Sequence, residues 1–461
     1  MIFKKYIGDK AFYQKVLTIT IPILIQNVIT NFVSLLDNVM VGRLGTEPMS
    51  GVAIVNQLLF IFNLCIFGGI SGAGIFAAQY HGKGDVDGVR NTFRMKALIV
   101  LVLTVVALII FALCGPQLIS MFLHEGEESL DLAATLAHGK KYMYVMLVSL
   151  LPFAVCQIYA GTLKETGETM LPMKAGIIAV FVNLCLNYIL IYGKLGMPEM
   201  GVVGAAAATL IARVVECLIV ALWTHKHKEK APYIKGVYSN FRVPRELAVK
   251  VMRKGLPLMI NEGLWSLGMT ALTQCYSIRG LEAISASNIS STVSNLFFCA
   301  VFAFANAISI IVGHLLGSGD IERAKDEDSK LIFCAIVICT VIGGALAICA
   351  PFIPQIYNTS DGIRDLATKF LLVSAAMMPF NCFIHATYFT FRAGGQTVLT
   401  FVFDSVFIWC ICYPVAFCLS RFTNMPIFPL FLTIHCIELI KVVLGAWLLK
   451  RGTWAKNLVS D

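Results

Sequence analysis

The chain has 461 residues, 58% of them hydrophobic and 14% charged, with a mean hydropathy of +0.79. A soluble globular chain is about one quarter charged, so this balance excludes a water-soluble domain and points to an integral membrane protein. The net charge of +9 gathers into no basic patch, which argues against a nucleic-acid partner, and no Walker motif or separate polar domain is present to harness ATP.

Segments of about 20 apolar residues, the length a helix needs to cross a bilayer, recur along the whole sequence. Twelve are predicted, at 16–42, 52–79, 95–115, 140–161, 173–193, 201–223, 256–279, 285–315, 330–352, 367–391, 397–420 and 427–449. They are continuous apolar runs, whereas a β-barrel would show short alternating ones. The first is long enough to span and no small-residue cleavage pattern follows it, so no removable signal peptide is expected.

The first segment contains FVSLLDNVMVGRLG, in which Asp37 has no basic residue within five positions. A carboxylate at the centre of a spanning helix costs about 2.5–3.5 kcal/mol, and such groups face an aqueous cavity or a partner. The second segment ends in GGISGAG (68–74), which lacks the Lys-Ser/Thr of a phosphate loop and reads as a place for close helix packing. The fifth carries Asn183 and Asn187, four apart on one helix face, and the sixth carries Thr209. At 1.5 Å per residue, Asp37, Asn187 and Thr209 lie roughly 8–12 Å below one membrane boundary, with Asn183 one turn deeper. A carboxylate with amide and hydroxyl oxygens at one level suits a hard cation. It suits a proton equally; Asp37, Asn183 and Asn187 each also admit a structural role, hydrogen-bonded to a neighbouring helix. Thr209 in GAAAAT reads as a packing residue that only its level raises.

Other polar residues have plainer readings. Arg213 and Glu216 in the sixth segment, and Glu438 and Lys441 in the twelfth, are spaced i, i+3 and read as self-neutralising pairs. His225 and His227, in the linker run HKHKEK, read as solvated charge, with only a weak case for a metal. Glu262 opens the seventh segment, where gating, substrate contact and a favourable helix-start carboxylate all remain open. Asp404 and His385 are candidates to line a cavity. Pro22, Pro152, Pro257 and Pro379 fall in or near spans and can bend them. The fifteen cysteines lie mostly in apolar runs, without zinc or disulfide spacing, and read as small packing residues.

With the N-terminus inside, the inner loops collect 26 Lys and Arg and the outer loops eight. The positive-inside rule then places both termini and the central loop in the cytoplasm. The chain also repeats itself. At an offset of 235 residues Pro22 meets Pro257, Gly45 meets Gly280, and GKGD (82–85) meets GSGD (317–320), with ten identities in the 41 positions from 45 to 85. LKETGET (163–169) lies on FRAGGQT (391–397) at an offset of 228. Two halves in the same orientation are parallel repeats of the kind seen in secondary transporters. The predicted fold is therefore all-α and membrane-integral, with twelve helices in two six-helix lobes. Residues 1–223 form the first lobe, 224–254 a linker and 255–461 the second. The position matching Asp37 in the second half is Leu272, so the fold itself does not require an acid there.

IPILIQNVITNFVSLLDNVMVGRLG, GISGAGIFAAQYHGKGD and NLCLNYILIYGKLGMPEMGVVGAAAAT resemble the multidrug and toxic compound extrusion (MATE) family of cation-coupled antiporters. The resemblance covers about 16 to 450. It implies a V-shaped pair of lobes around a central cavity, and export of a substrate in exchange for Na⁺ or H⁺. In one branch of the family the coupling site falls on positions equivalent to Asp37, Asn183, Asn187 and Thr209, with an acid where this chain has Asn187. In another branch, acids act on the seventh and tenth spans. Those positions correspond here to Trp265 and Asn381, with Glu262 one turn before the former. The expected protein is an antiporter of amphipathic, cationic small molecules in the cell membrane. It is not an enzyme, needs no cofactor beyond Na⁺ or H⁺ as coupling ion, and is expected to be monomeric. A flippase for lipid-linked precursors is the alternative, opposed by having only two basic residues within the spans. A membrane enzyme is a remote second.

Overall fold

A computed structural model describes residues 6–122, 131–240, 242–357 and 359–460. All regular structure among them is helical, in twelve long elements: α1 (Lys10–Gly42), α2 (Thr46–Lys83), α3 (Val86–Ser120), α4 (Leu132–Glu165), α5 (Met170–Tyr192), α6 (Val202–Lys226), α7 (Arg245–Ser277), α8 (Leu281–Gly317), α9 (Ile321–Cys349), α10 (Asp361–Ala393), α11 (Thr397–Phe422) and α12 (Ile427–Arg451). Each predicted segment coincides with one helix. Most helices run past the apolar stretch, because polar flanks continue the backbone ladder outside lipid. The ninth stops short at Cys349, where Pro351 and Pro354 cannot extend it.

Eleven of these helices are long and apolar enough to cross a membrane. The exception, α7, is made more polar by Asn261 and Glu262, the first of which serves a side-chain network. On α3 the residues Leu101, Val102, Val105, Val106, Ile109 and Leu113 are exposed at helical spacing, while Val100, Thr104 and Phe111 are buried. An uninterrupted exposed apolar stripe of this length is the signature of a lipid-facing surface.

Contacts divide the chain into two compact units. One contains Met1–Leu24, Ala78–Asp85 and Arg253–Asp461; the other contains Ile25–Ala77 and Val86–Met252. The start of α1 groups with the later part of the chain because Val16, Ile19 and Ile23 pack with Ala303, Phe304 and Ile308. We call the unit holding Arg253–Asp461 the C unit and the other the N unit. In the C unit α10 lies along α8 and α9, where Ala303, Ala307 and Ala335 permit close approach.

In the N unit α4 packs on α3 and α6, and α5 on α6. Gly74 of the glycine-rich run lies against the carboxylate of Glu165, which pairs with the fully buried ammonium of Lys96; Thr162 accepts from that ammonium at 3.0 Å. A side chain at Gly74 would collide with the pair, so this glycine makes room for a charge as well as for a helix. Arg94 reaches the linker, donating to the carbonyls of Val237 and Gly236 at 2.9 and 2.8 Å. Burial of Tyr233 in the same linker pushes its phenol well above the ordinary range.

The internal repeat is legible in backbone geometry. Gly45 and Gly280, 235 apart, both turn with positive φ, 123° and 103°, and Gly84 and Gly319 do so with 80° and 86°. L-residues rarely adopt these angles, which explains why both halves hold glycine there. Within the C unit, a side chain on Gly82 would strike the carbonyl of His314, and one on Gly317 would strike that of Gln79. Residues 79 and 82 map onto 314 and 317 at the same offset, so the two contacts are reciprocal.

Candidate functional site

In the N unit, α1, α5 and α6 bring four of the predicted residues together. Asn187 donates to Asp37 Oδ1 at 2.6 Å and to Asn183 Oδ1 at 3.1 Å. Asn183 donates to Thr209 Oγ1 at 3.3 Å, and Thr209 donates back to the Ala205 carbonyl at 3.0 Å. The i, i+4 spacing on α5 places both amides on one face, and Tyr192, one turn further on, pins α5 to α1 by donating to the Met40 carbonyl at 2.8 Å. Asn183 and Asn187 are buried, 6% and 1% exposed. No described Lys or Arg forms an ion pair with Asp37.

The oxygens are arranged for more than helix packing. Asn187 Oδ1 is buried and accepts no hydrogen bond. The Asn183 amide end facing Asp37 lies 2.9 and 3.2 Å from its two oxygens, and with nitrogen there it donates to both. With oxygen there, acceptors so close repel unless a proton or cation lies between them. The cluster therefore has two settings: amide nitrogens toward the carboxylate, satisfying it internally, or amide oxygens toward it, forming a polar cage with one formal negative charge. One formal negative charge with amide oxygens turned toward it suits a single monovalent cation or a proton.

The residues suggested for the second half do not assemble in this way. Glu262, Trp265 and Asn381 share no hydrogen bond among the described residues. Trp265 packs with the apolar cluster around Leu272, Phe407 and Ile408. Glu262 has Arg392 and Asp404 as its charged neighbours.

The sequence reading missed a network beside it. Asn261 donates to Asp404 Oδ2 and to the Tyr388 hydroxyl, both at 3.2 Å, and accepts from Ser405 at 2.6 Å. Lys441 lies 3.6 Å from Asp404 Oδ1 and over the ring of Phe407. The expected pairing of Lys441 with Glu438 is thus corrected: the ion-pair partner is on α11. That helix is π-helical over Val402–Val406 and Ile408–Cys412, a winding that sequence spacing does not announce. Arg213 likewise hydrogen-bonds Ser149 at 3.0 Å and lies over Phe153, with no ion pair to Glu216 among the described residues. The reading of His225 and His227 as solvated charge is also corrected. His225 lies 3.0 Å from the Tyr159 hydroxyl and stacks on Tyr238, and His227 stacks on Trp223. Aromatic residues nearby in the sequence were the available signal.

Comparison with known proteins places this geometry in context. The MatE family profile matches residues 22–189 and 257–420, two stretches whose starts are 235 residues apart, as in the internal repeat. A protein described as "Probable multidrug resistance protein NorM" from Thermotoga maritima is 23% identical over 463 residues, covering 99% of this chain and 97% of that one. "Probable multidrug resistance protein YoeA" from Bacillus subtilis is 26% identical over 419 residues, covering 88% and 87%. Among solved structures, one described as the outward-facing conformation of a multidrug resistance MATE family transporter superposes with a TM-score of 0.85 at 20% identity, covering 98% of both chains.

Proposed function

The chain belongs to the MatE family and is a multi-pass membrane transporter, and from that premise we propose that it exports amphipathic cationic compounds in exchange for Na⁺ or H⁺ at Asp37. The observation that carries this reading is a half-buried carboxylate with no basic ion-pair partner among the described residues, bordered by the amides of Asn183 and Asn187 and, through Asn183, linked to the Thr209 hydroxyl. A carboxylate held by a lysine or arginine is already neutralised. Asp37 instead borrows amide hydrogens, and a cation or proton competes for it directly.

Coupling then requires only that the two lobe arrangements differ in affinity for the ion. With the ion bound, the amide oxygens of Asn183 and Asn187 turn inward; with it gone, their nitrogens do. This ties the rotamers of α5, and its packing on α1 and α6, to ion occupancy. The relatives' names support drug-like substrates, and the positive-inside asymmetry supports cytoplasmic termini in the cell membrane. We take the working unit to be a monomer.

The test is transport of ethidium by the purified chain in liposomes, under an imposed Na⁺ gradient or an imposed pH gradient. One gradient is expected to accelerate movement of the dye severalfold over the gradient-free rate. Equal rates with both gradients collapsed would overturn the coupling.

A further inference from the structure

The second polar cluster, in the C unit, has the composition of a cation seat with the cation attached to the chain. Asp404 supplies the carboxylate, and Asn261 orients it by donating to its Oδ2 and to the Tyr388 hydroxyl. Lys441, with only 5% of its side chain exposed, places its ammonium 3.6 Å from Asp404 Oδ1. Ser405 and Trp409 fix α11 against α7 by donating to the carbonyls of Asn261 and Leu264 at 3.0 and 2.9 Å. The charged and titratable groups around the pair are Glu262, His385, Tyr388, Arg392 and Glu438.

The repeat shows what is special about this arrangement. At an offset of 235 Asn261 corresponds to Gln26, and at 228 Asp404 corresponds to Gly176. The helices α6 and α12 are both 25 residues long; aligned from their starts, Glu216 corresponds to Lys441 and Arg213 to Glu438. The same three-helix junction exists in the N unit, where a side chain added at Gly176 would lie 3.3 Å from the Gln26 amide and 3.7 Å from the Glu216 carboxylate. Acid and base have thus exchanged positions along the last helix between the repeats. In the N unit Glu216 has Lys164 and Arg213 as its charged neighbours; in the C unit Lys441, at the aligned position, pairs with Asp404. What both junctions keep is an acid near a base, although the residue types are reversed.

We propose that Lys441 is a tethered counter-ion, its ammonium occupying the seat that a free monovalent cation would otherwise take beside Asp404. The C unit then holds its charge permanently at this junction and exchanges no ion there. Removing the ammonium while keeping Asp404 converts the junction into a site for a free monovalent cation such as Na⁺. This inference does not depend on the reading of Asp37.

The experiment measures melting of the full-length purified chain in NaCl and in choline chloride at equal ionic strength. All variants are made in an Asp37→Asn background, so that the other cluster contributes no Na⁺ response. Lys441→Met is expected to melt at least 5 °C below its parent in choline and to recover most of that loss in Na⁺. The double variant Asp404→Asn/Lys441→Met is expected to melt near the parent in both salts. A Lys441→Met protein that is destabilised but indifferent to Na⁺ would overturn the cation seat, as would one that melts like its parent. Should Lys441→Met fail to fold, recovery of a folded protein in the double variant supports the tethered pair, and no recovery overturns it.

Discussion

Asp37 in the N unit and Asp404 in the C unit each accept a hydrogen bond from an asparagine amide, but among the described residues only Asp404 has a basic ion-pair partner. Asp404 has Lys441 at 3.6 Å; Asp37 has Asn187, Asn183 and, through Asn183, Thr209. An acid paired with a base inside a protein is a fixed element, because removing one partner leaves an uncompensated charge. An acid surrounded only by dipoles keeps its charge available. On the proposals above, the duplicated fold carries its exchangeable acid in the N unit, at Asp37, and a fixed pair in the C unit, at Asp404 and Lys441. Leu272, at the place of Asp37 in the C unit, is 5% exposed and packed in an apolar cluster.

The severest test of this contrast is Leu272→Asp. If the C unit lacks the amide and hydroxyl support that α5 and α6 give Asp37, a new acid there is simply a buried charge. The variant is expected to lose about 2.5–3.5 kcal/mol of stability, read as a lowered melting temperature, with no new Na⁺ response. A stable variant that restores ion-driven transport to an Asp37→Asn protein would break the comparison.

Asp37→Asn is expected to act in the opposite way. The amide keeps the shape and can still hydrogen-bond Asn187, so the melting temperature should change little. Gradient-driven dye export should fall at least tenfold, which corresponds to about 1.4 kcal/mol of lost coupling. Loss of folding with loss of transport would make Asp37 a structural residue, like Asp404.

Much of this contrast was legible in the sequence. Asp37 stood out because it had no base within reach along its own helix; the family resemblance pointed to Asn183, Asn187 and Thr209, and depth arithmetic agreed in bringing Asn187 and Thr209 to its level. The repeat offset located Leu272 opposite it. The C-unit network was not legible, because Asp404 and Lys441 are 37 residues apart and meet only through the π-helical turns of α11. Spacing along one helix favoured Glu438 instead, a rule that counts neighbours on a single cylinder and sees none across. Buried pairs such as Lys96 with Glu165 escaped for the same reason. The division of α1 between units escaped too, since an apolar run does not record which surface each of its turns will cover.

Asn187→Asp sharpens the comparison from the other side. It adds a second carboxylate within 2.6 Å of Asp37 Oδ1, where an amide now donates. Two acids at this separation cannot both stay charged without a cation between them. Na⁺ affinity, measured by titration calorimetry, is expected to rise about tenfold, and the protein without Na⁺ to become less stable than its parent. An unchanged affinity would mean that Asn187 does not face the ion.

The smallest expected effect belongs to Thr209→Val, which keeps the volume and removes the hydroxyl. Thr209 does not touch Asp37; it receives the Asn183 nitrogen at 3.3 Å and returns its own proton to Ala205. Its contribution is to hold the Asn183 amide in the setting that points oxygen at the acid. Hydrogen bonds between membrane helices average about 0.6 kcal/mol, so the ion affinity should weaken roughly threefold. The sign carries the argument. With Thr209 gone, the amide is free to turn its nitrogen toward Asp37, which satisfies the acid and disfavours the ion. A tighter ion site in Thr209→Val would mean that the resting amide already donates to Asp37, and that the hydroxyl restrains the cage from forming.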